Sequence, residues 1–268
     1  MARIASGLAC SIPLASCAIA PMISPAARTD LAPTGTLRVG INYGNPVLVQ
    51  RDPATGDLRG VAVDLARELA SRIGVPIELV TYDAAGKMAD AVKTGAWDVA
   101  FLAIDPARAA EISFTAPYVE IEGTYLVPAG SPLRSIEDVD REGVRVAVGA
   151  KSAYDLFLAR NLKRAQLVRA PTGAAAIELF LADELEAVAG VKQPLLAAAA
   201  KIPGSRVLEG RFMAIRQAAG TPKNRGGAGA RYLREFIEDA KATGFVVRAL
   251  EKSGVGGVSV APAAPLQE

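Results

Sequence analysis

The chain contains no histidine among its 268 residues and only two cysteines. Histidine is the commonest general base, so its absence removes Ser-His-Asp and Cys-His nucleophile pairs and H-E-x-x-H zinc sites. Both cysteines, Cys10 and Cys17, fall near the amino terminus, which leaves the body of the chain without a disulfide, a thiolate nucleophile or a sulfur-ligated metal. Most common enzyme mechanisms are therefore excluded, and we expect no cofactor and no metal site.

An excess of charge of one sign is also absent. Thirty Lys and Arg residues face 28 Asp and Glu residues, for a net charge of +2. This balance provides no broad basic field, so we expect no nucleic-acid partner. Hydrophobic residues make up 51% of the chain and charged residues 22%, which is an ordinary globular composition. At about 100–200 residues per domain, the length corresponds to one large or two small domains.

Residues 1–28 are typical of an export signal rather than of a folded element. Arg3 is the only charge before Arg28, and the apolar segment 4–20 is too short and too interrupted by Pro13 to cross a bilayer. Two processing routes fit. Leu14-Ala15-Ser16-Cys17 resembles the lipobox of bacterial lipoproteins, whereas the small residues around 26–27 suit ordinary signal cleavage. We predict a periplasmic protein, either free or lipid-anchored through Cys17.

From residue 36 onward, strand-like and helix-like patterns alternate. Strands are predicted at 37–41, 77–80 and 99–104, and helices at 61–73 and 87–94. The last of these strands is a nearly continuous apolar run, as expected of a parallel strand that is buried on both faces. This order predicts an α/β fold with mostly parallel sheets.

A second unit of the same kind follows the first. Its strands are predicted at 144–148, 166–169 and 187–191, and its helices at 152–161 and 173–182. Two extended segments, 123–127 and 211–215, bracket this unit and are predicted to form a pair of crossing strands. The pattern therefore predicts two similar α/β lobes joined by this pair of crossing strands.

The crossing strands also define the expected lobe boundaries. Lobe one comprises residues 36–127 plus 215–255, with two helices predicted at 230–243 and 245–252, and lobe two comprises residues 128–212. Residues 256–268 are rich in Gly, Pro and Ala, and we predict that they form a loose tail.

Several short motifs resemble those of one family when they are taken in order. Gly60-Val61-Ala62-Val63-Asp64-Leu65 is similar to the G-F-D-V-D-L signature of the family 3 extracellular solute-binding proteins, the periplasmic receptors of amino-acid-type ABC importers. Similar matches follow at Gly95-Ala96-Trp97-Asp98-Val99-Ala100, Arg108-Ala109, Phe114-Thr115-Ala116-Pro117-Tyr118 and Ser135-Ile136-Glu137-Asp138-Val139. The resemblance covers roughly residues 37–252. It implies a two-lobed, periplasmic-binding-protein-like α/β fold with a two-strand hinge, and one small solute held in the cleft between the lobes.

Arg108 matches the family arginine that grips the carboxylate of the solute. A guanidinium suits this task because its planar fork donates two parallel charge-assisted hydrogen bonds. A simpler interpretation is also open. Asp105-Pro106 forms a good helix start, and Arg108 would then be a surface residue paired with Glu111.

Ser152, followed by Ala153, lies where the family places a hydroxyl and backbone amides that clamp the same carboxylate from lobe two. A helix amino terminus is a natural site for an anion. The alternative is that the S-x-x-D pattern of residues 152–155 caps the helix internally. The nearby Gly149-Ala150-Lys151-Ser152 lacks the glycine that a phosphate loop requires before its lysine, so we expect no nucleotide site there.

Other cleft candidates follow from their positions relative to the predicted strands. Asn42, Tyr43 and Asn45 are expected to line lobe one, although exposed loop polarity is the alternative. Lys192, Gln193 and Lys87 are expected to face the cleft, where cations would attract a second anionic group. We found no clear equivalent of the acid that completes ammonium recognition in the family, although Asp83 or Glu122 would serve from another direction.

These expectations favour a receptor for a small carboxylate-bearing solute, either an organic acid or an amino acid. Its partners would be that solute and an ABC permease in the inner membrane, and we expect a monomer. One alternative is a periplasmic enzyme on the same scaffold, similar to prephenate-like dehydratases, which would need a carboxyl group in the cleft. Glu178 and Glu186 are more typical of exposed positions. Another alternative is a solute-sensing protein.

Overall fold

The computed structural model describes residues 23–265 of the chain. Its strands are β1 (Leu37–Asn42), β2 (Gln50–Arg51), β3 (Leu58–Arg59), β4 (Ile77–Tyr82), β5 (Val99–Ala103), β6 (Ile112–Val127), β7 (Arg145–Gly149), β8 (Gln166–Ala170), β9 (Ala187–Val191), β10 (Arg206–Val207), β11 (Met213–Pro222) and β12 (Ser259–Val260). Its α-helices are α1 (Pro25–Leu31), α2 (Val61–Ile73), α3 (Ala85–Asp90), α4 (Ala153–Asn161), α5 (Gly173–Ala182), α6 (Lys192–Ala199), α7 (Gly227–Ala242) and α8 (Phe245–Ser253). Within these residues no helix is both long and apolar enough to cross a membrane.

One sheet runs through the whole molecule in the order β4-β1-β5-β11-β6-β9-β7-β8. Strands β4, β1 and β5 are parallel, and so are β8, β7 and β9. Strands β11 and β6 lie between these two groups and run antiparallel to each other. We call the half that contains β1, β4 and β5 lobe one, and the half that contains β7, β8 and β9 lobe two. The predicted α/β class with mostly parallel sheets is confirmed.

The two joining strands are longer than the sequence predicted. Strand β6 has 16 residues and β11 has 10, and their register runs from Ile112 opposite Pro222 to Gly123 opposite Met213. The carboxyl end of β6 then pairs with β9 of lobe two, while β11 pairs with β5 of lobe one. Both strands thus lie across the junction and join the two lobes.

Strand β5 and helix α2 form where the apolar pattern of the sequence predicts buried elements. All five residues of β5 are buried, as the apolar run predicted. Helix α2 buries one apolar face, and it ends at Gly74, whose left-handed backbone (φ 67°) is typical of a helix carboxyl-terminal cap. It begins after Gly60, which has a φ of 121° and lies against the Leu48 carbonyl group. Only glycine fits there, because a Cβ atom would collide with that carbonyl.

The amino-terminal boundary differs from the prediction. Residues 1–22 lie outside the described part of the chain, but residues 25–31 form helix α1, which packs on α7. Ala27 and Leu31 are buried, and the Asp30 carboxylate accepts a hydrogen bond of 2.9 Å from the backbone N–H of Gly229. Cleavage at 26–27 would cut this helix, so the folded body begins earlier than the predicted boundary at residue 28.

The predicted loose tail is wrong for the residues that the structure describes. Strand β12 pairs with β6, with Ser259 opposite Glu120. The Lys241 ammonium donates to the Pro262 carbonyl at 2.8 Å, and the Gln193 amide donates to the Gly257 carbonyl at 2.9 Å. A glycine-rich composition therefore does not leave this segment loose, because its backbone completes the edge of a sheet.

Candidate functional site

A cavity of about 220 Å³ lies between the two lobes. Most of its wall is apolar, with Leu48, Met88 and Phe101 from lobe one and Ile177 and Leu195 from lobe two. Eight lining residues carry polar side chains: Asn42, Asn45, Asp83, Arg108, Ser152, Tyr154, Thr172 and Gln217. An enclosed apolar cavity with a few convergent polar groups is the usual form of a small-molecule site.

Arg108 is buried at the junction of the lobes, with 6% of its surface exposed. It begins a short 3₁₀ helix, Arg108–Ala110, after a turn in which the Asp105 carboxylate accepts a hydrogen bond from the Ala107 backbone N–H. Its Nη1 donates to the Ala103 carbonyl at 2.9 Å, and its Nη2 donates to the Lys151 carbonyl of lobe two at 3.0 Å. Arg108 is therefore not the exposed helix residue of the simpler interpretation, and it contacts both lobes.

The charge of Arg108 is not balanced by an ion pair. Among residues 23–265, no carboxylate lies within 4.0 Å of its guanidinium, and its buried Nε has no hydrogen-bond partner. Burial lowers the pKa of Arg108 to about 10, so it still carries a proton at neutral pH. A buried, unpaired cation is costly, and an anion in the cavity would remove that cost.

Ser152 and Ala153 also line the cavity, at the start of helix α4. The Ser152 hydroxyl accepts a hydrogen bond from the Asp155 backbone N–H at 3.0 Å, so the internal cap considered from the sequence is present. Thr172 caps the neighbouring helix α5 in the same way, by accepting from the Ala175 backbone N–H at 3.0 Å. Two helix amino termini of lobe two therefore meet the cavity wall.

Lys151 joins the two lobes through both its backbone and its side chain. Its φ of 55° is unusual for a residue other than glycine. Its carbonyl accepts the hydrogen bond from Arg108, while its backbone N–H donates to the Asp155 carboxylate at 2.7 Å. Its ammonium pairs with Asp90 of lobe one at 2.7 Å. Sequence analysis considered this residue only as part of a failed phosphate loop and missed its bridging position.

Two further contacts close the cleft. The Arg160 guanidinium of lobe two pairs with Asp105 of lobe one at 2.7 Å, and the Asp105 side chain is only 4% exposed. At Gly86 the lobes lie so close that an added Cβ atom would come within 2.6 Å of the Lys151 Cβ atom and 2.9 Å of the Ala150 carbonyl oxygen. The structure therefore shows the lobes in contact around the cavity.

The lobe-one wall carries the one carboxylate that lines the cavity within residues 23–265. This is Asp83, whose side chain is 38% exposed and pairs with Lys87 at 2.8 Å. The hydrogen bond from Lys87 lowers the pKa of Asp83 below its usual value. Asn42 and Asn45, at the end of β1 and in the loop that follows, line the same wall, where their side chains accept hydrogen bonds from the backbone N–H groups of Gly44 and Val47.

Four of the predicted site residues lie outside the cavity wall. Tyr43 lies beneath the Arg51 guanidinium, at 5.2 Å from the ring centre. Lys87 points along the surface to Asp83. Lys192 pairs with Glu122 at 2.6 Å, and Gln193 is bonded to the tail. The expectation that Lys192 and Gln193 face the cleft is corrected, because these residues begin helix α6, which turns them away from it.

Gln217 is a site residue that sequence reasoning missed. It lies on β11, is 6% exposed and lines the cavity. Its side-chain amide has no hydrogen-bond partner in the described part of the chain. The segment 213–222 carries three polar residues, Arg216, Gln217 and Thr221, and no pattern in the sequence distinguishes Gln217 from the other two.

No group of three His, Cys, Asp or Glu side chains within residues 23–265 is arranged to hold a metal ion. The polar groups of the site are instead one arginine, the Asp83 carboxylate paired with Lys87, amides, hydroxyls and backbone groups at helix starts. This set is able to bind an anion by hydrogen bonding without covalent chemistry.

Comparisons with known proteins agree with this architecture. ArgBP from T. maritima, solved as a mutant, aligns with 85% of this chain and 99% of its own, at 22% identity and a TM-score of 0.72. The solute receptor for L-cysteine of Neisseria gonorrhoeae aligns with 84% of this chain and 92% of its own, at 21% identity and a TM-score of 0.72. An ancestral amino acid-binding protein described as a precursor of cyclohexadienyl dehydratase gives 24% identity over 84% of this chain and 98% of its own, with a TM-score of 0.70.

At these identities, the structural matches show the fold. No curated protein sequence matches this chain. The family is shown by a sequence model that matches residues 37–253, which includes the whole extent over which the motifs resembled it. The chain belongs to the bacterial extracellular solute-binding proteins, family 3.

Proposed function

We propose that this protein is a receptor that binds a small carboxylate-bearing solute between its lobes and delivers it to an ABC importer. The observation that carries the proposal is Arg108, a buried cation on the cavity wall without a carboxylate partner among residues 23–265. A solute carboxylate would accept hydrogen bonds from the guanidinium and neutralise it in a site that excludes water.

Binding and lobe closure are coupled in this proposal. Arg108 lies on lobe one, while Ser152 and Thr172 reach the cavity from lobe two. A solute that contacts both walls stabilises the closed form and shifts the population toward it, because it has less contact with the open form. Rotation would occur about β6 and β11, the strands that join the lobes.

Delivery to a permease follows from the family and its relatives. Similar solved structures include an amino acid ABC transporter substrate-binding protein from Streptococcus pneumoniae bound to L-arginine. We propose that the closed form docks on an inner-membrane permease as a monomer. Residues 1–22 would supply the export signal, and processing at Cys17 would leave helix α1 intact.

The placement of the lysines changes the argument about the solute. The sequence predicted that Lys87 and Lys192 face the cleft, where they would attract a second anionic group of the solute. Both are instead paired with carboxylates outside the cavity wall. Arg108 is thus the one cation that lines the cavity within the described residues, which supports a solute with one carboxylate rather than two.

A thermal-shift assay of the purified protein against amino acids and organic mono- and dicarboxylates tests the proposal. A ligand at one hundred times its dissociation constant adds about 2.7 kcal/mol, which raises the midpoint by roughly 5–11 °C for a chain of this size. Arg108→Ala should abolish the shift. Arg164→Ala is a matched control, because Arg164 is exposed in lobe two. The absence of a shift with every carboxylate, or equal shifts in wild type and Arg108→Ala, would contradict the proposal.

Catalysis on the same scaffold remains the second candidate because one similar structure is described as a dehydratase precursor. Glu186 is paired with Arg145, and Glu178 is exposed on α5, so neither provides a carboxyl group in the cavity. Asp83 does line the cavity but is held by Lys87. We therefore propose binding rather than proton transfer.

A further inference from the structure

The charges that line the cavity specify the net charge of the solute. Within residues 23–265 the lining contains two charged side chains, Arg108 and Asp83. Asp83 is already neutralised by Lys87 at 2.8 Å, whereas Arg108 has no carboxylate partner. The closed site therefore holds one unbalanced positive charge, and a solute with a net charge of −1 balances it without breaking an existing ion pair.

This balance disfavours two other classes of carboxylate. A dicarboxylate would bring a second negative charge to a wall with no second cation. An amino acid is a zwitterion with no net charge, so its ammonium would need a carboxylate that only Asp83 is placed to supply. Asp83 would then have to share its carboxylate between that ammonium and Lys87, and the charge of Arg108 would still leave the site with one excess positive charge.

Gln217 adds a second requirement to the solute. Its Cα atom is paired with that of Ala103 on the neighbouring strand, and the Ala103 carbonyl is the group that accepts the hydrogen bond from Arg108. Adjacent strands lie about 4.8 Å apart, so the Gln217 side chain enters the cavity close to the guanidinium. Gln217 is 6% exposed and lines the cavity, and its amide has no hydrogen-bond partner in the described chain.

An amide that reaches the cavity without a protein partner is available to a ligand, and a ligand that displaces water without replacing its hydrogen bonds leaves the amide unsatisfied. Because Gln217 pairs with the strand residue that Arg108 contacts, its position favours a partner group close to the carboxylate, on the adjacent carbon. The amide is neutral and both donates and accepts, so it suits a hydroxyl or carbonyl oxygen, whereas a buried ammonium calls for a carboxylate.

We infer that the solute is a monocarboxylate with a hydroxyl or oxo group on the adjacent carbon, and that Gln217 is the residue that selects this group. This inference rests on the proposed function. The apolar side chains of Leu48, Met88 and Ile177 then surround the remaining carbon chain.

Isothermal titration with one carbon skeleton tests this inference. The probes are 4-methylpentanoate, its 2-hydroxy and 2-oxo derivatives, and leucine, which differ only at the second carbon. The corresponding series built on butanoate repeats the test with a shorter chain. We expect the hydroxy or oxo acid to bind at least tenfold more tightly than the unsubstituted acid and the amino acid of the same series.

Variants at Gln217 identify the selecting residue. Gln217→Leu should lower the affinity for the hydroxy or oxo acid about three- to tenfold, which is the loss expected for one neutral hydrogen bond. The affinity for the unsubstituted acid should stay the same. Gln217→Glu should shift the preference toward leucine. Gln166→Leu is the matched control, because Gln166 lies on strand β8 with its side chain exposed. This variant should bind every acid of the series with the affinity of the wild type.

The outcomes separate the two proposals. If leucine binds most tightly to the wild type, or if Gln217→Leu leaves the ranking unchanged while carboxylates still bind, this inference is wrong and the proposed function stands. If none of the acids binds at millimolar concentration, both are contradicted.

Discussion

Two buried charged residues of lobe one, Asp98 and Arg108, are surrounded in opposite ways. Asp98 is fully buried, and its carboxylate accepts hydrogen bonds from Arg38 at 2.8 Å and Arg225 at 2.9 Å. Arg108 is also buried, but its guanidinium contacts two carbonyl oxygens and no carboxylate within the described chain. The first charge is balanced by the protein itself. In the proposed function, an anion that enters the cavity balances the second.

This difference distinguishes a structural charge from a functional one. The Asp98 cluster joins β1, β5 and the segment before α7, since Arg38 lies on β1 and Arg225 just before that helix. Its effect should be on folding. Arg108 contributes an unfavourable buried charge to the empty protein, which a solute would relieve, so its effect should be on binding. Substitutions at the two sites should therefore separate stability from affinity.

The largest effect is expected for Asp98→Asn. The change removes the charge that both arginines neutralise, and breaking a buried ion pair costs about 3–5 kcal/mol. Because Arg38 and Arg225 are each about a quarter exposed, we expect the lower end, which corresponds to a midpoint lower by roughly 6–12 °C in thermal denaturation. A decrease of only one or two degrees would mean that the cluster does not stabilise the fold.

Arg108→Met is expected to abolish solute binding with little change in stability. This change removes an unpaired buried charge and keeps the side-chain volume, so the free energy of unfolding of the empty protein should change by less than about 1 kcal/mol. Solute binding should be lost. Thermal denaturation with and without the solute measures both quantities, and a strongly destabilised but binding-competent variant would reverse the assignment.

A smaller effect is expected for Arg160→Gln, which removes the ion pair between the lobes. The pair with Asp105 forms only when the lobes are in contact. Its loss should therefore favour the open form and lower the affinity for the solute about fivefold. Small-angle scattering of the empty protein should show a larger radius of gyration. Arg164→Gln is the control, because Arg164 is exposed, and an equal effect in both variants would exclude a role for the pair.

A still smaller effect is expected for Lys151→Gln. The side chain of Lys151 is 64% exposed and that of Asp90 is 55% exposed, and exposed ion pairs contribute about 0–1 kcal/mol. The backbone carbonyl that contacts Arg108 remains in place. Affinity should fall less than about threefold, and the difference should vanish in high salt. A loss as large as that of Arg108→Met would show that the side chain, not the backbone, is the important part.

No effect is expected from pH between 6 and 9. Burial lowers the pKa of Arg108 only to about 10, the chain has no histidine, and a solute carboxylate stays ionised in this range. Because the folded pKa is lowered, Arg108 loses its proton only above that range, and affinity should decrease there. Titration calorimetry across pH 6–9 checks this, and a tenfold change would indicate a different binding group.

Much of the fold was predictable because its elements have regular local patterns. Helices α2 and α5 and strand β9 match their predicted bounds. Helix α6 was missed, although Pro194 in its first turn and the alanines after it are helix signals. The tail was missed for another reason. Its pairing with β6 is a long-range contact that leaves no local pattern.

The site was predictable where a motif located it, and less so elsewhere. Arg108 and Ser152 lie on the cavity wall as expected. Lys192 was misplaced because residue type was used without the helix that orients it. Gln217 was missed because its importance depends on burial and on an unfilled hydrogen bond, which only the assembled strands reveal.

A crystal structure of the complex with the carboxylate that binds most tightly tests the central claim most directly. We predict that the carboxylate oxygens accept two hydrogen bonds of about 2.7–2.9 Å from Arg108, with the lobes closed around the solute. A carboxylate bound elsewhere in the cleft, with Arg108 still bonded only to Ala103 and Lys151, would contradict the account.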